Sequence, residues 1–351
     1  MLFVTNRSIL SYLPCLLLAL TWQVAYEQKA PDSTSGKASG PTTWITGDSA
    51  DVTTRTSPGT LLAGGSTDVD EAMRWLLKKS GGGDVVVLRA SGSDGYNTYL
   101  YSTLGETVNS VETILLNSNE WVNDEGVAQK IRNAEALFIA GGDQGKYVSY
   151  WKDSKVEEAI NYLINTKKVP VGGTSAGCAI LGQVYYPALK ESLTTTEALG
   201  DPYHANLMLG HNDFVDAPFL ANTVTDTHFA QRNRQGRLVA FLARMRRDWN
   251  ISGRGIGVSE RTAVGIDANG IAQVFGSGIA YFIMPASPTN PEQCTAGKPL
   301  IWLADRKAIR VIEIQGTAQG TGTFNLATWA VPPASQTKFW YVDGGVLQMQ
   351  P

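Results

Sequence analysis

Residues 169–178 read Val169-Pro170-Val171-Gly172-Gly173-Thr174-Ser175-Ala176-Gly177-Cys178. An apolar strand runs into a Gly-flanked serine, and Ala179, Ile180 and Leu181 continue as a helix. A strand–turn–helix of this kind throws a hydroxyl out of a sharp turn, where another molecule can reach it. The small neighbours matter because a strained turn has no room for bulk and the backbone must come close to whatever binds. The spacing is not the literal Gly-x-Ser-x-Gly, since Thr174 separates Gly173 from Ser175. For Gly172–Cys178 alone, an ordinary Gly-rich turn is the competing reading.

The flanking sequence decides between them. Thr60-Leu61-Leu62-Ala63 is a short apolar strand ended by Gly64-Gly65, with Asp68 as N-cap of a helix carrying Val69, Ala72, Met73, Leu76 and Leu77. Asp84 to Leu88, Val111 to Leu116 and Ala136 to Ala140 read as further buried strands, with helices over Val127–Ala134 and Val156–Ile164 between them. This alternation predicts an α/β fold, a doubly wound and mostly parallel sheet, with sites at the C-terminal ends of its strands. Gly141-Gly142 and Ser175 both fall at such ends. From about 262 onward the runs Ala263–Ile266, Ala272–Phe275, Ile279–Met284, Leu300–Leu303, Ile309–Ile314, Phe324–Trp329 and Lys338–Val342 predict a largely antiparallel, β-rich C-terminal part.

Composition narrows the function. In 351 residues, Lys and Arg number 29 against 32 Asp and Glu, and no basic run is interleaved with aromatics, so nucleic acid is excluded as a partner class. Arg7 followed by the mostly apolar Ile9–Trp22 reads as a signal peptide, placed at 1–25, with an uncleaved anchor or a buried N-terminal helix as the alternative; the run is short for a membrane span, and no stable span is expected after leader removal. Residues 26–59, rich in Ser, Thr, Gly, Pro and Asp, read as a flexible leader, 60–290 as the catalytic domain and 291–351 as the β-rich extension. The expected location is therefore secreted or periplasmic. With Cys15 in the leader, Cys178 and Cys294 make no disulfide framework, and Cys178 reads as a small buried hydrophobe. There is no His-x-x-x-His or paired Cys-x-x-Cys, so no metal and no cofactor is expected. Gly64-Gly65-Ser66 lacks the Gly-x-Gly-x-x-Gly of a dinucleotide loop and is discounted.

A serine nucleophile needs a base, a group to orient that base, and donors for the oxyanion. Only three histidines are present: His204, His211 and His228. His228 stands in the polar segment Thr225-Asp226-Thr227-His228-Phe229-Ala230-Gln231-Arg232-Asn233-Arg234-Gln235-Gly236-Arg237, just ahead of a helix, and is the preferred base. Glu260 ends Gly255-Ile256-Gly257-Val258-Ser259-Glu260, another Gly-punctuated strand, where an acid can orient a histidine or merely pair with Arg261. Arg232, Arg234 and Arg237 suit carboxylate recognition, or simply face water at a helix start.

Phe138-Ile139-Ala140-Gly141-Gly142-Asp143-Gln144, Gly172 to Gly177, Asp226-x-His228-Phe229-x-x-Arg232-x-Arg234-x-x-Arg237 and Gly255 to Glu260, in that order, resemble the cyanophycinase-like serine peptidases. That group includes aspartyl dipeptidase and is similar to the class I glutamine amidotransferases; the likeness implies their flavodoxin-like fold. It implies a triad of Ser175, His228 and Glu260, an oxyanion hole from the amides of Gly142 and Ala176, and a substrate pocket shaped by Gln144, Asp226, Thr227, Arg232, Arg234 and Arg237. The implied substrate is a polyaspartate carrying arginine on its β-carboxyls, released as β-Asp-Arg dipeptides. Thr227 replaces the glutamine usual in that segment, which puts the polymer substrate in more doubt than the triad. An aspartyl or isoaspartyl dipeptidase acting on short peptides and a catalytically silent binding protein are the rival readings. The partner expected is a peptide or cyanophycin-like polymer, with a homodimer as the candidate assembly.

Overall fold

The computed structural model describes residues 40–331 and 337–350; the expected signal peptide, most of the leader's first part and Cys15 lie outside the described residues. The strands are β1 (Thr42–Gly47), β2 (Gly59–Ala63), β3 (Asp84–Arg89), β4 (Ser110–Leu115), β5 (Ala136–Ile139), β6 (Pro170–Thr174), β7 (Val184–Tyr185), β8 (Gly210–His211), β9 (Thr223–Asp226), β10 (Arg254–Val258), β11 (Thr262–Asp267), β12 (Ile271–Gly276), β13 (Ile279–Pro285), β14 (Ile309–Gln315), β15 (Gly322–Asn325), β16 (Thr337–Asp343) and β17 (Val346–Gln350). The helices are α1 (Asp70–Lys79), α2 (Gly95–Thr98), α3 (Glu125–Asn133), α4 (Gln144–Trp151), α5 (Lys155–Tyr162), α6 (Ala176–Ala179), α7 (Thr195–Gly200) and α8 (Gln235–Trp249).

Two sheets result. The first runs β1-β4-β3-β5-β6-β2-β11-β12-β15 and the second β17-β16-β14-β13-β10-β9-β7-β8. Within the first, β4, β3, β5, β6 and β2 are mutually parallel, as their continuous apolar runs require of strands buried on both faces. Leu61, Val85, Val87, Ala136 and Phe138 face α1; Leu62, Val86, Leu88, Leu137 and Ile139 face the core that α3, α5 and the second sheet share. The other face of the second sheet packs on α8 through Leu238, Phe241, Leu242 and Met245, all fully buried. The α/β class with a mostly parallel sheet and added C-terminal strands is the one the sequence predicts.

Three details differ from the sequence reading. The leader expected over 26–59 is ordered structure from residue 42: β1 pairs antiparallel with β4, from Thr42 opposite Leu115 to Gly47 opposite Ser110. Its Thr-Thr-Trp-Ile-Thr run is β-prone, but as an edge strand it buries little and leaves no apolar pattern. Leu300–Leu303 makes only isolated bridges, Gln293 with Ile301 and Trp302 with Val342, and the Phe324–Trp329 run leaves the sheet at Asn325. Finally, β14, β16 and β17 continue the second sheet directly from β13, and β15 edges the first. Cys178 and Cys294 are free and buried.

Candidate active site

β2, β5 and β6 are neighbours and end together, so the turns after them converge. After β6, α6 folds back so closely that a Cβ on Gly177 would sit 2.2 Å from the carbonyl oxygen of Ile139; only glycine fits. Between strand and helix stands Ser175, at φ 51° and ψ −113°. A serine held at positive φ is strained and persists only where its surroundings fix it. Here its N–H donates to Ala63 O at 3.0 Å, a tie to the end of β2.

His228 comes from the second sheet, two residues past β9, also at positive φ (47°). Its N–H donates to Gly64 O at 2.8 Å. Its Nε2 lies 2.8 Å from Ser175 Oγ, and its Nδ1 2.7 Å from Glu260 Oε1. A carboxylate only accepts, so Nδ1 carries the proton and the Nε2 lone pair faces the serine hydroxyl. Glu260 lies in the short link by which the chain passes from β10 in the second sheet to β11 in the first. Its own N–H is held by Gln231 Oε1 at 2.9 Å. Burial pushes the His228 imidazole below its ordinary pKa, the Glu260 bond opposes that, and the nearby charges of Arg232 and Arg234 add to it. The hydrogen bond from His228 holds the Glu260 carboxyl below the usual range.

The sequence reading takes Gly64-Gly65 only as the end of a strand and discounts Gly64-Gly65-Ser66 as a dinucleotide loop, yet this turn is the hub of the site. Gly65 is at φ 94°, and a Cβ there would stand 2.5 Å from His228 Nε2 and 3.1 Å from Ser175 Cβ. The signal was available: paired glycines at the end of an apolar parallel strand, as at Gly141-Gly142. Gln231 was missed because nothing in its local sequence distinguishes it. His204 and His211 are elsewhere: His204 Nδ1 accepts the N–H of Asn206 at 3.1 Å, and His211 stacks on Trp249 with ring centres 4.6 Å apart.

The turn after β5 flanks the serine, with a Cβ on Gly141 lying 3.5 Å from Ser175 Cβ. Gly142 follows, exposed and at φ 153°. Ala176 is the first residue of α6, where an amide has no partner within its helix. Gln144, half-buried, opens α4, which Asp143 caps by accepting the Gly145 N–H at 2.9 Å.

Arg232 is exposed and Arg234 is largely buried, its Nη1 donating to Thr227 O at 2.8 Å. Burial lowers the Arg234 pKa to about 10. Thr227 is itself buried, its hydroxyl turned toward Arg234 at 3.5 Å. Asp226 and Arg237 do not face a substrate space, contrary to the pocket role the resemblance implies. Their side chains are 3% and 2% exposed and paired twofold, Nε to Oδ2 at 2.7 Å and Nη2 to Oδ1 at 2.5 Å. Two complementary forks eleven residues apart satisfy each other because α8 starts directly beside the end of β9.

The cyanophycinases of Trichormus variabilis and Geminocystis herdmanii are 27% identical over 192 residues and 26% identical over 179. The matches cover 54% and 50% of this chain and 59% and 60% of those proteins, so the chain spans about three fifths of the length of the curated relatives it matches. Among solved structures, a peptidase from an acI-B1 Actinobacterium superposes with a TM-score of 0.47 at 15% identity, over 70% of this chain and 96% of that one, a likeness too distant to bear on function. The family model of peptidase family S51 matches residues 60–274, more than half of the chain, and the chain belongs to that family.

Proposed function

We propose that the protein is a serine-type peptidase of the cyanophycinase kind, an exopeptidase that releases β-Asp-Arg from its polymer through Ser175, His228 and Glu260. The observation that carries the reading is the pair of hydrogen bonds, 2.8 Å from Ser175 Oγ to His228 Nε2 and 2.7 Å from His228 Nδ1 to Glu260. In the first half-reaction Ser175 Oγ attacks the scissile carbonyl carbon while His228 Nε2 takes the hydroxyl proton. The amides of Gly142 and Ala176 receive the oxyanion, and Glu260 stabilises the imidazolium. The imidazolium then protonates the leaving amine and the peptide bond breaks, leaving an acyl-enzyme. Water, deprotonated by the same histidine, attacks the ester and restores Ser175. Arg232 and the unspent donors of Arg234 give the site a positive wall, suited to a substrate carboxylate. Membership of family S51 and likeness to cyanophycinases support the substrate class. Export is part of the proposal, on the apolar run behind Arg7.

Release of β-Asp-Arg from purified cyanophycin tests this, comparing the protein with Ser175→Ala and including short β-Asp peptides. The expected result is dipeptide release from the polymer that falls by more than about a thousandfold in the variant, with an unchanged melting temperature. Ser175-dependent cleavage of short peptides alone would make the enzyme a dipeptidase. Binding without cleavage of either would make it a silent scaffold.

A further inference from the structure

The buried Asp226–Arg237 pair is anchored on three sides. Besides its two bonds to Asp226, Arg237 donates from Nη1 to Leu193 O at 3.1 Å and to Ser192 Oγ at 3.2 Å. A guanidinium has five N–H donors, and four are thus spent inside the protein, too many to leave a fork for a substrate carboxylate. Asp226 Oδ1 also accepts the Thr227 N–H at 2.8 Å. Arg234 holds the carbonyl of the same residue. Both backbone groups of Thr227 are therefore fixed by side chains that meet at the start of α8.

The next residue is His228. Its positive φ is unfavourable for a side chain of this size and persists only where neighbours over-determine the backbone. Gly64 holds its N–H, and its carbonyl accepts the Arg232 N–H at 3.0 Å. The preceding peptide needs an equally firm hold, or the imidazole swings away from Ser175.

We propose that Asp226 and Arg237 are positioning residues for His228: their buried pair locks the strained backbone ahead of the base and takes no part in gripping the substrate. This rests on the reading of Ser175, His228 and Glu260 as a triad. It separates Asp226 and Arg237 from Arg232; Arg234, whose Nη1 holds Thr227 O and reaches Asp226 Oδ1 at 3.5 Å, shares in the backbone lock and keeps its Nε and Nη2 for a ligand.

The test uses Asp226→Asn and Arg237→Lys in the full chain. Arg237→Lys keeps the buried charge balanced, because breaking a buried pair outright can unfold a protein; it carries the test if Asp226→Asn fails to fold. Two rates are read for each folded variant. One is covalent labelling by a neutral alkyl fluorophosphonate, which needs an activated serine and offers no carboxylate. The other is hydrolysis of a β-Asp peptide, resolved into kcat and KM. Positioning predicts that labelling and kcat fall together by about tenfold to a hundredfold, with KM within about threefold of the parent value. Labelling at the parent rate with KM raised by about tenfold would make the pair a substrate contact and overturn the proposal. If the unmodified protein neither labels nor hydrolyses, the triad reading itself fails and takes the positioning role with it, an outcome the first comparison does not produce.

Discussion

Ser175 and His228 both sit at positive φ, 51° and 47°, so the two central groups of the site are held by backbone that the surrounding contacts must enforce. Gly65 is wedged between them. Gly65→Ala should lower kcat/KM by about a hundredfold or more, because its Cβ would displace the imidazole. Steady-state rates beside a thermal melt check this; full activity would show that the contact is easily relieved. The pH dependence follows from the lowered pKa of His228. The base works in its neutral form, so the acid limb of kcat/KM should lie below the ordinary value of 6.5. Arg232→Gln removes one of the charges that depress it, and the limb should move up in pH. A limb that stays or moves down would contradict the assignment. For stability the sign is the same: the folded histidine binds its proton less readily than the unfolded one. Its contribution is complete above pH 6.5 and is lost as pH falls through the folded value. At this scale Ser175 and Glu260 were legible because each follows a Gly-punctuated strand, and His228 because it is one of only three histidines and stands in a polar segment just ahead of a helix. Asp226 and Arg237 were legible only as charges; their pairing depends on where α8 lies against β9, which local sequence does not encode.

The β6–α6 junction depends on close approach between elements. Gly177→Ala would put a methyl against the Ile139 carbonyl and should destabilise the protein by about 1–3 kcal/mol, by denaturant unfolding. Gly95→Ala, at the start of α2 with nothing within 4 Å, is the matched control and should be near neutral. Equal effects at both positions would mean that packing at Gly177 is not the constraint. The parallel strands were legible because burial on both faces writes an unbroken apolar run. β1 was not, since an edge strand buries little: its Ile45 is exposed and its Trp44 and Thr46 are only half-buried. β17 was missed as well: it adds at the far edge of its sheet with Val346 and Met349 exposed, joined to β16 by Gly344-Gly345 at φ 55° and 82°.

At the scale of the molecule, the serine comes from one sheet, the histidine from the other, and the glutamate from the link between them. The site therefore exists only while both sheets are complete. Residues after 290 contribute Ile309, Val311, Ile312 and Trp340 to the core, each at most 1% exposed. Truncation at residue 290 should abolish cooperative melting and activity together, although none of the described residues it removes hydrogen-bonds to the triad side chains. A truncated protein that melts cooperatively and keeps its activity would show the C-terminal strands to be an independent addition.

The most direct measurement is peptide mapping after treatment with a neutral fluorophosphonate. The adduct should sit on Ser175, and His228→Ala should abolish it in a protein that still melts cooperatively. A folded protein whose Ser175 stays unmodified, or labels equally well without His228, would contradict the proposed triad.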